Sequence, residues 1–176
     1  IFVKDSSGIK RLTPAKNVRA LFRGWSKDGK SFFYDSNERD SKFMDHYEMN
    51  ISDFSSKMIY KNEEGMDLQG KSEDKNYIVL SKTINTNDSD LFLLNKKTGE
   101  KTKINENLSS NAFEDFSPDG KYLYYTTDDG AEFRYVMKYA LETGEKEKVA
   151  EKKWDINAFY FTHNGRYQVT FANEDA

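Results

Sequence analysis

One short pattern returns four times along this chain at nearly constant spacing. It limits the possible folds more than any other feature. The segments WSKDGKSFFY (25–34), FSPDGKYLYY (116–125) and FTHNGRYQVT (161–170) read alike: an aromatic, Ser or Thr, a variable residue, Asp or Asn, Gly, a basic residue, then strand-forming residues. A looser copy, KSEDKNYIVL (71–80), keeps Ser72 and Asp74 and carries Lys75 in the glycine position, a departure that would break the turn. Ser26, Ser72, Ser117 and Thr162 are separated by 46, 45 and 45 residues. The chemistry is that of a hairpin turn: Asp or Asn bonds nearby amides, Gly accepts positive φ, and Pro118 presets φ in its copy.

A second turn recurs downstream. NKKTGEKTKI (95–104) and LETGEKEKV (141–149) share T-G-E-K, with Gly99 and Gly144 again 45 residues apart. SSGIKRL (6–12) and SSKMIY (55–60) are looser versions. Each repeat therefore reads strand, tight turn, strand, longer loop, strand, tight turn, strand. In one copy the strands are NAFEDFS, YLYYTT, FRYVMKY and KEKVA. No stretch shows apolar residues at i, i+3, i+4 and i+7, so helix is not expected. Four short strands per repeat of this length predict an all-β fold, a β-propeller of four-stranded antiparallel blades.

The register predicts complete blades at about 19–62, 64–107 and 110–150, with half-blades at 1–14 and about 154–173. Either the halves join and close a four-bladed ring, which would abolish open edges, or residues 1–176 are an arc of a larger propeller. The second is preferred, because the chain begins at Ile1 in mid-pattern and NEDA (173–176) stops where a third strand would start. The expectation is a processed piece of a longer polypeptide.

The turn also disposes of a tempting enzymatic reading. GWSKDG (24–29) approaches the G-x-S-x-G elbow of serine hydrolases, but Asp28 stands where the second glycine belongs. A strand follows, where an elbow requires a helix. Ser26 is thus expected to be a turn residue like Ser72, Ser117 and Thr162.

Composition narrows the remaining classes. The net charge is −3 with both signs interspersed, which argues against a nucleic-acid footprint. There is no cysteine, excluding disulfides, thiolate catalysis and Cys-ligated zinc. That leaves the compartment open between the cytoplasm and a bacterial periplasmic or secreted setting. No apolar run approaches the ~18 residues of a membrane span. NTNDSD (85–90) lacks the spacing and distal Glu of a calcium loop and reads as a polar loop. His46 and His163 have no visible nucleophile or metal partner, so no cofactor and no metal are expected. Trp25, Phe116 and Phe161 share one repeat position and are expected to pack blade against blade.

Binding is expected on the rim carrying the longer second-to-third-strand loops, DSNERDSKFMDH (35–46), KTINTNDSD (82–90) and TDDGAEF (127–133), because binding residues concentrate on loops held by a rigid scaffold. The charged candidates there are Glu38, Arg39, Asp40, Asp128, Asp129, Glu132 and Glu174; the competing reading for each is a solvated loop charge.

F-S-P-D-G-K (116–121) resembles the turn of TolB-type propellers. GWSKDGKSFFYDSNERD (24–40), YKNEEGMDL (60–68), FSPDGKYLYYTTDDGAEF (116–133) and the stretch from 154 to NEDA resemble, more specifically, the propeller of the prolyl oligopeptidase family of serine peptidases. That resemblance implies a covalently linked α/β-hydrolase domain outside this chain, carrying Ser, Asp and His, with the propeller restricting access and orienting peptide substrates. No catalytic residue of that family maps onto this sequence, and the chain alone is expected to hydrolyse nothing. The alternative is a TolB-like or WD-like module that binds a protein partner and has no hydrolase.

Overall fold

The computed structural model describes residues 1–14 and 16–175, and its regular elements are all strands. A hairpin comes first, β1 (Phe2–Asp5) and β2 (Gly8–Arg11). Three four-stranded antiparallel sheets follow. The first comprises β3 (Ala20–Trp25), β4 (Ser31–Asp40), β5 (Phe43–Asn50) and β6 (Ser56–Tyr60). The second comprises β7 (Asp67–Lys71), β8 (Tyr77–Thr83), β9 (Ser89–Asn95) and β10 (Lys101–Lys103). The third comprises β11 (Asn111–Phe116), β12 (Tyr122–Thr127), β13 (Tyr135–Ala140) and β14 (Lys146–Ala150). A last hairpin holds β15 (Ile156–Phe161) and β16 (Gln168–Ala172). In each sheet the strands lie side by side in chain order. The chain forms two compact units, Ile1–Asp67 and a second from Leu68 onward. The terminal hairpins are each two-stranded sheets of their own, so the reading in which they fuse into a fourth blade gives way to two separate half-blades.

The repeated turn is built the same way each time. The Ser26 hydroxyl donates to Asp28 Oδ1 at 2.7 Å and accepts the Ser31 amide at 2.9 Å, while Asp28 Oδ1 accepts the Lys30 amide at 3.0 Å. Ser72 with Asp74, Ser117 with Asp119, and Thr162 with Asn164 repeat all three bonds. The serine hydroxyl bonded to Asp119 holds that carboxyl below the usual range, and Asp74 is lowered for the same first reason. Gly29, Gly120 and Gly165 stand at φ 67°, 70° and 66°. Lys75 does not break its turn. It adopts φ 60°, and its amide reaches the Ser72 carbonyl at 2.9 Å, as Gly120 reaches Ser117. The serine–aspartate pair holds the turn firmly enough to force a lysine into the left-handed region.

Apolar residues concentrate on the second and third strands, each of which has a strand on both sides. β4 is buried from Ser31 to Ser36, and β12 from Leu123 to Thr127. In the first unit Phe32, Tyr34, Tyr47 and Met49 form a core against Ile1, Leu12, Ala20 and Phe54. In the second unit, Val79, Leu91, Leu93 and Ile104 of one sheet pack with Leu123, Tyr125 and Tyr139 of the next. Tyr124, Val136, Ile156 and Phe159 join that sheet to the last hairpin.

The expected blade-to-blade role of the shared aromatic position holds at two of its three sites. Phe116 packs onto the Val79–Leu123 core, and Phe161 lies edge-on to Tyr124 at 5.2 Å. Trp25 differs: it contacts Phe22 and Phe32 of its own sheet at 5.8 and 5.7 Å and stays 62% exposed. Phe116 and Phe161 cover the second strand of the sheet before them. The sheet before Trp25 is the β1–β2 hairpin, which has no such strand.

Candidate functional site

The longest predicted loop, 35–46, is not a loop. β4 and β5 stay paired to Ser36 opposite Asp45 and, past an irregular stretch, pair again at Asp40 opposite Phe43, with Ser41 and Lys42 at the tip. The arm stays ordered because its polar side chains satisfy one another. Asp35 and His46 sit opposite in register, and His46 Nδ1 lies 2.7 Å from Asp35 Oδ1. Arg23, the extra residue of a bulge in β3, pairs with the other Asp35 oxygen. His46 stacks on Phe33 with centroids 5.7 Å apart and is 2% exposed; its Nε2 has no hydrogen-bond partner among the described residues.

Of the predicted residues on this arm, Arg39 is fully engaged. It forms a two-pronged pair with the buried Asp45 carboxylate at 2.6 and 2.8 Å and donates to the Asn62 carbonyl at 2.7 Å. The bond to Asp45 raises the Arg39 pKa further. The Asn62 amide returns to Asp45 at 2.8 Å, and Asn62 Nδ2 donates to the Met66 carbonyl at 2.7 Å. Arg39 therefore clamps the arm to the segment leaving β6. Asp40 caps the tip by accepting the Lys42 amide at 3.0 Å, and Glu38 is exposed with its amide donating to Ser36 Oγ at 3.2 Å.

In the second unit, Asp128 and Asp129 are also structural. Asp128 accepts the Ser110 amide at 2.8 Å, and Asp129 accepts both of its contacts from Asn107 Nδ2, at 3.0 and 3.1 Å. The Tyr135 hydroxyl donates to the Asp129 carbonyl at 2.8 Å, and burial raises the Tyr135 pKa. These bonds fix the base of the β12–β13 connection. Its tip is the more open part. Gly130, Ala131, Glu132 and Phe133 line a cleft of about 650 Å³ with Glu151, Lys152 and Lys153. Phe133 and Trp154 place their rings 6.2 Å apart beside it, and Lys152 lies 3.4 Å from Glu174. Of the predicted residues, Glu132 lines this cleft and Glu174 pairs with Lys152, which also lines it. Aromatic faces flanked by both signs of charge can stack against flat or apolar groups and pair with charged ones.

Among the described residues no cluster of three or more His, Asp or Glu side chains could hold a metal. His163 is exposed in its turn. Within the NTNDSD stretch, Asn85 to Asp88 form a self-bonded polar turn in which Asn85 Oδ1 accepts the Asn87 and Asp88 amides at 2.9 and 3.0 Å, and Ser89 and Asp90 already belong to β9.

Sheets of this pattern recur in solved structures. TolB from Acinetobacter baumannii superposes over 99% of this chain at a TM-score of 0.68 and 16% identity. The fold is a β-propeller. A prolyl endopeptidase, from a study of two such enzymes, matches 92% of the chain at 0.57 and 14% identity. Prolyl oligopeptidase B from Galerina marginata matches 85% at 0.56 and 19% identity. The propeller described here spans 43% of the TolB chain and 25% and 23% of the two peptidases. The sequence matches no family model and no curated relative.

Proposed function

We propose that this propeller module is the non-catalytic part of a prolyl oligopeptidase-like serine peptidase, where it restricts access and orients peptides toward a hydrolase domain elsewhere in the parent polypeptide. The observation that carries this reading is the open cleft lined by Glu132, Phe133 and Lys152, with Trp154 beside Phe133, on a connection whose base is fixed by Asp128 and Asp129. The likeness to two prolyl peptidases supports it. The residues assigned to peptide contact are Glu132 and Lys152, with Glu174 adjusting the charge of Lys152. Titration of short peptides into the chain, followed by Trp154 emission in a Trp25→Phe background, should show saturable binding that Lys152→Ala weakens. A flat titration, together with a parent reading frame lacking a G-x-S-x-G elbow, overturns the proposal.

The longer and better superposition on TolB favours a second reading, a protein-docking propeller without a hydrolase. The parent reading frame separates the two: this reading requires that no strand–elbow–helix hydrolase sequence be present.

A further inference from the structure

The fourth copy of the repeated turn carries Asn164 where the others carry Asp28, Asp74 and Asp119. Its bonds are nonetheless the same. The Thr162 hydroxyl donates to Asn164 Oδ1 at 2.9 Å, and the Arg166 amide donates to the same oxygen at 3.1 Å. In the third sheet the Ser117 hydroxyl and the Lys121 amide reach Asp119 Oδ1 at 2.6 and 3.1 Å. One pair of donors thus meets two different groups, with opposite chemical results. On a carboxylate the donors hold the negative charge in place. The serine hydroxyl foremost, and then the amide, keep Asp119 and Asp74 below their ordinary range, and an ionised carboxylate resists nucleophilic attack. On a carboxamide the same donors draw electron density from the carbonyl carbon and face the oxygen that becomes an oxyanion when that carbon is attacked.

A nucleophile adjoins it. The next residue, Gly165, stands at φ 66° and has no Cβ to crowd its nitrogen. Asn164–Gly165 is the one Asn-Gly pair in the sequence, and Asn164 is exposed to water. We infer that Asn164 is a self-modification site, which deamidates within the folded turn, through Gly165, to aspartate. This chemistry is local to one turn and independent of the peptide-orienting role.

The Gly165 nitrogen attacks Asn164 Cγ and forms a cyclic imide. The Cγ–Nδ2 bond breaks, and ammonia leaves with the proton of the Gly165 amide. Water then opens the ring, with no change of oxidation state. Opening at Cγ restores the peptide bond and leaves aspartate. Opening at the backbone carbonyl leaves isoaspartate, which adds a methylene to the main chain. The turn accepts the first product: Asp28, Asp74 and Asp119 already make its bonds, and a carboxylate acceptor strengthens them. It rejects the second. A longer main chain displaces the Gly165 amide from the Thr162 carbonyl, now 2.7 Å away, and the Tyr167 amide from the Thr162 hydroxyl, now 3.1 Å away.

Tryptic peptide 154–166 carries Asn164 and reports the reaction by mass. The folded chain, held at mildly alkaline pH, should lose the Asn164 amide and gain one negative charge, with aspartate exceeding isoaspartate at that position. Thr162→Val removes one donor and should slow the loss roughly fivefold, the rate equivalent of one neutral hydrogen bond. Thr162→Ser keeps the hydroxyl, as at Ser26 and Ser117, and should retain the parent rate, which separates the donor's effect from damage to the turn. Asn164→Asp should match the fully converted chain in thermal midpoint. An Asn164 amide still intact in the folded chain when the isolated 154–166 peptide has converted overturns the proposal. Equal or faster conversion in folded Thr162→Val, or isoaspartate as the main product, overturns it as well.

Discussion

Glu114 leaves its own sheet to accept the backbone N–H of Phe159 on the next one, at 2.9 Å. It can do so because it is the extra residue of a bulge: Phe113 faces Tyr125 and Asp115 faces Tyr124, leaving Glu114 unpaired in the ladder. Its other oxygen accepts the Thr126 hydroxyl at 2.8 Å, and the neighbouring Asp115 accepts the Phe161 amide at 2.9 Å. The joint between these two sheets is therefore hydrogen-bonded as well as apolar.

Burial raises the Glu114 pKa above its ordinary 4.5. A raised acid favours folding in its protonated form, so its contribution is fullest below pH 4.5 and falls as pH rises through the raised value. Glu114→Gln keeps an acceptor for Phe159 and removes that dependence; urea midpoints measured on either side of the titration should differ less in the variant than in the parent. Glu114→Ala leaves the Phe159 amide without its partner and should cost about 1–3 kcal/mol.

Lys75→Gly should stabilise the chain by about 0.5–1 kcal/mol, because it relieves a left-handed lysine while the Ser72–Asp74 turn stays intact. A lower thermal midpoint for the variant would contradict the conformational argument.

Gly70 of β7 has ordinary negative φ, yet a Cβ there would run into the ring of Phe113 on the neighbouring sheet. Gly70→Ala is expected to cost about 1–3 kcal/mol as overpacking. Adding Phe113→Leu should recover part of the loss, and a double-mutant cycle measures the coupling.

Ser26→Ala removes a turn bond without touching any nucleophile. Stability should fall by about 1 kcal/mol, and a fluorophosphonate probe should label neither the parent nor the variant. Ser117→Ala tests the same bond set in a second copy. Because the Ser117 hydroxyl lowers the Asp119 pKa, the parent should lose stability as pH falls below 3.8 and through the lowered value, and the variant should lose less.

The repeat was readable because its chemistry is local. Ser, Asp and Gly act on amides within five residues, so each turn announces itself and the spacing follows. Lys75 escaped because a left-handed lysine is decided by the bonds around it. The arm from 35 to 46 escaped for a different reason. Its side chains look like loop residues until Asp35 stands opposite His46 and Arg39 reaches Asp45. Glu132 lines the same cleft as Lys152, with which Glu174 pairs. Asp128, Asp129 and Arg39 proved to be braces, a distinction that depends on partners 6 to 23 residues away.

The Ser–Asp turn carries its own fastener within six residues, so each hairpin can nucleate before its neighbours arrive. A chain assembled this way tolerates the gain or loss of whole units, since no distant segment is needed to set the bend. The number of repeats then becomes a quantity that duplication can alter while the architecture survives.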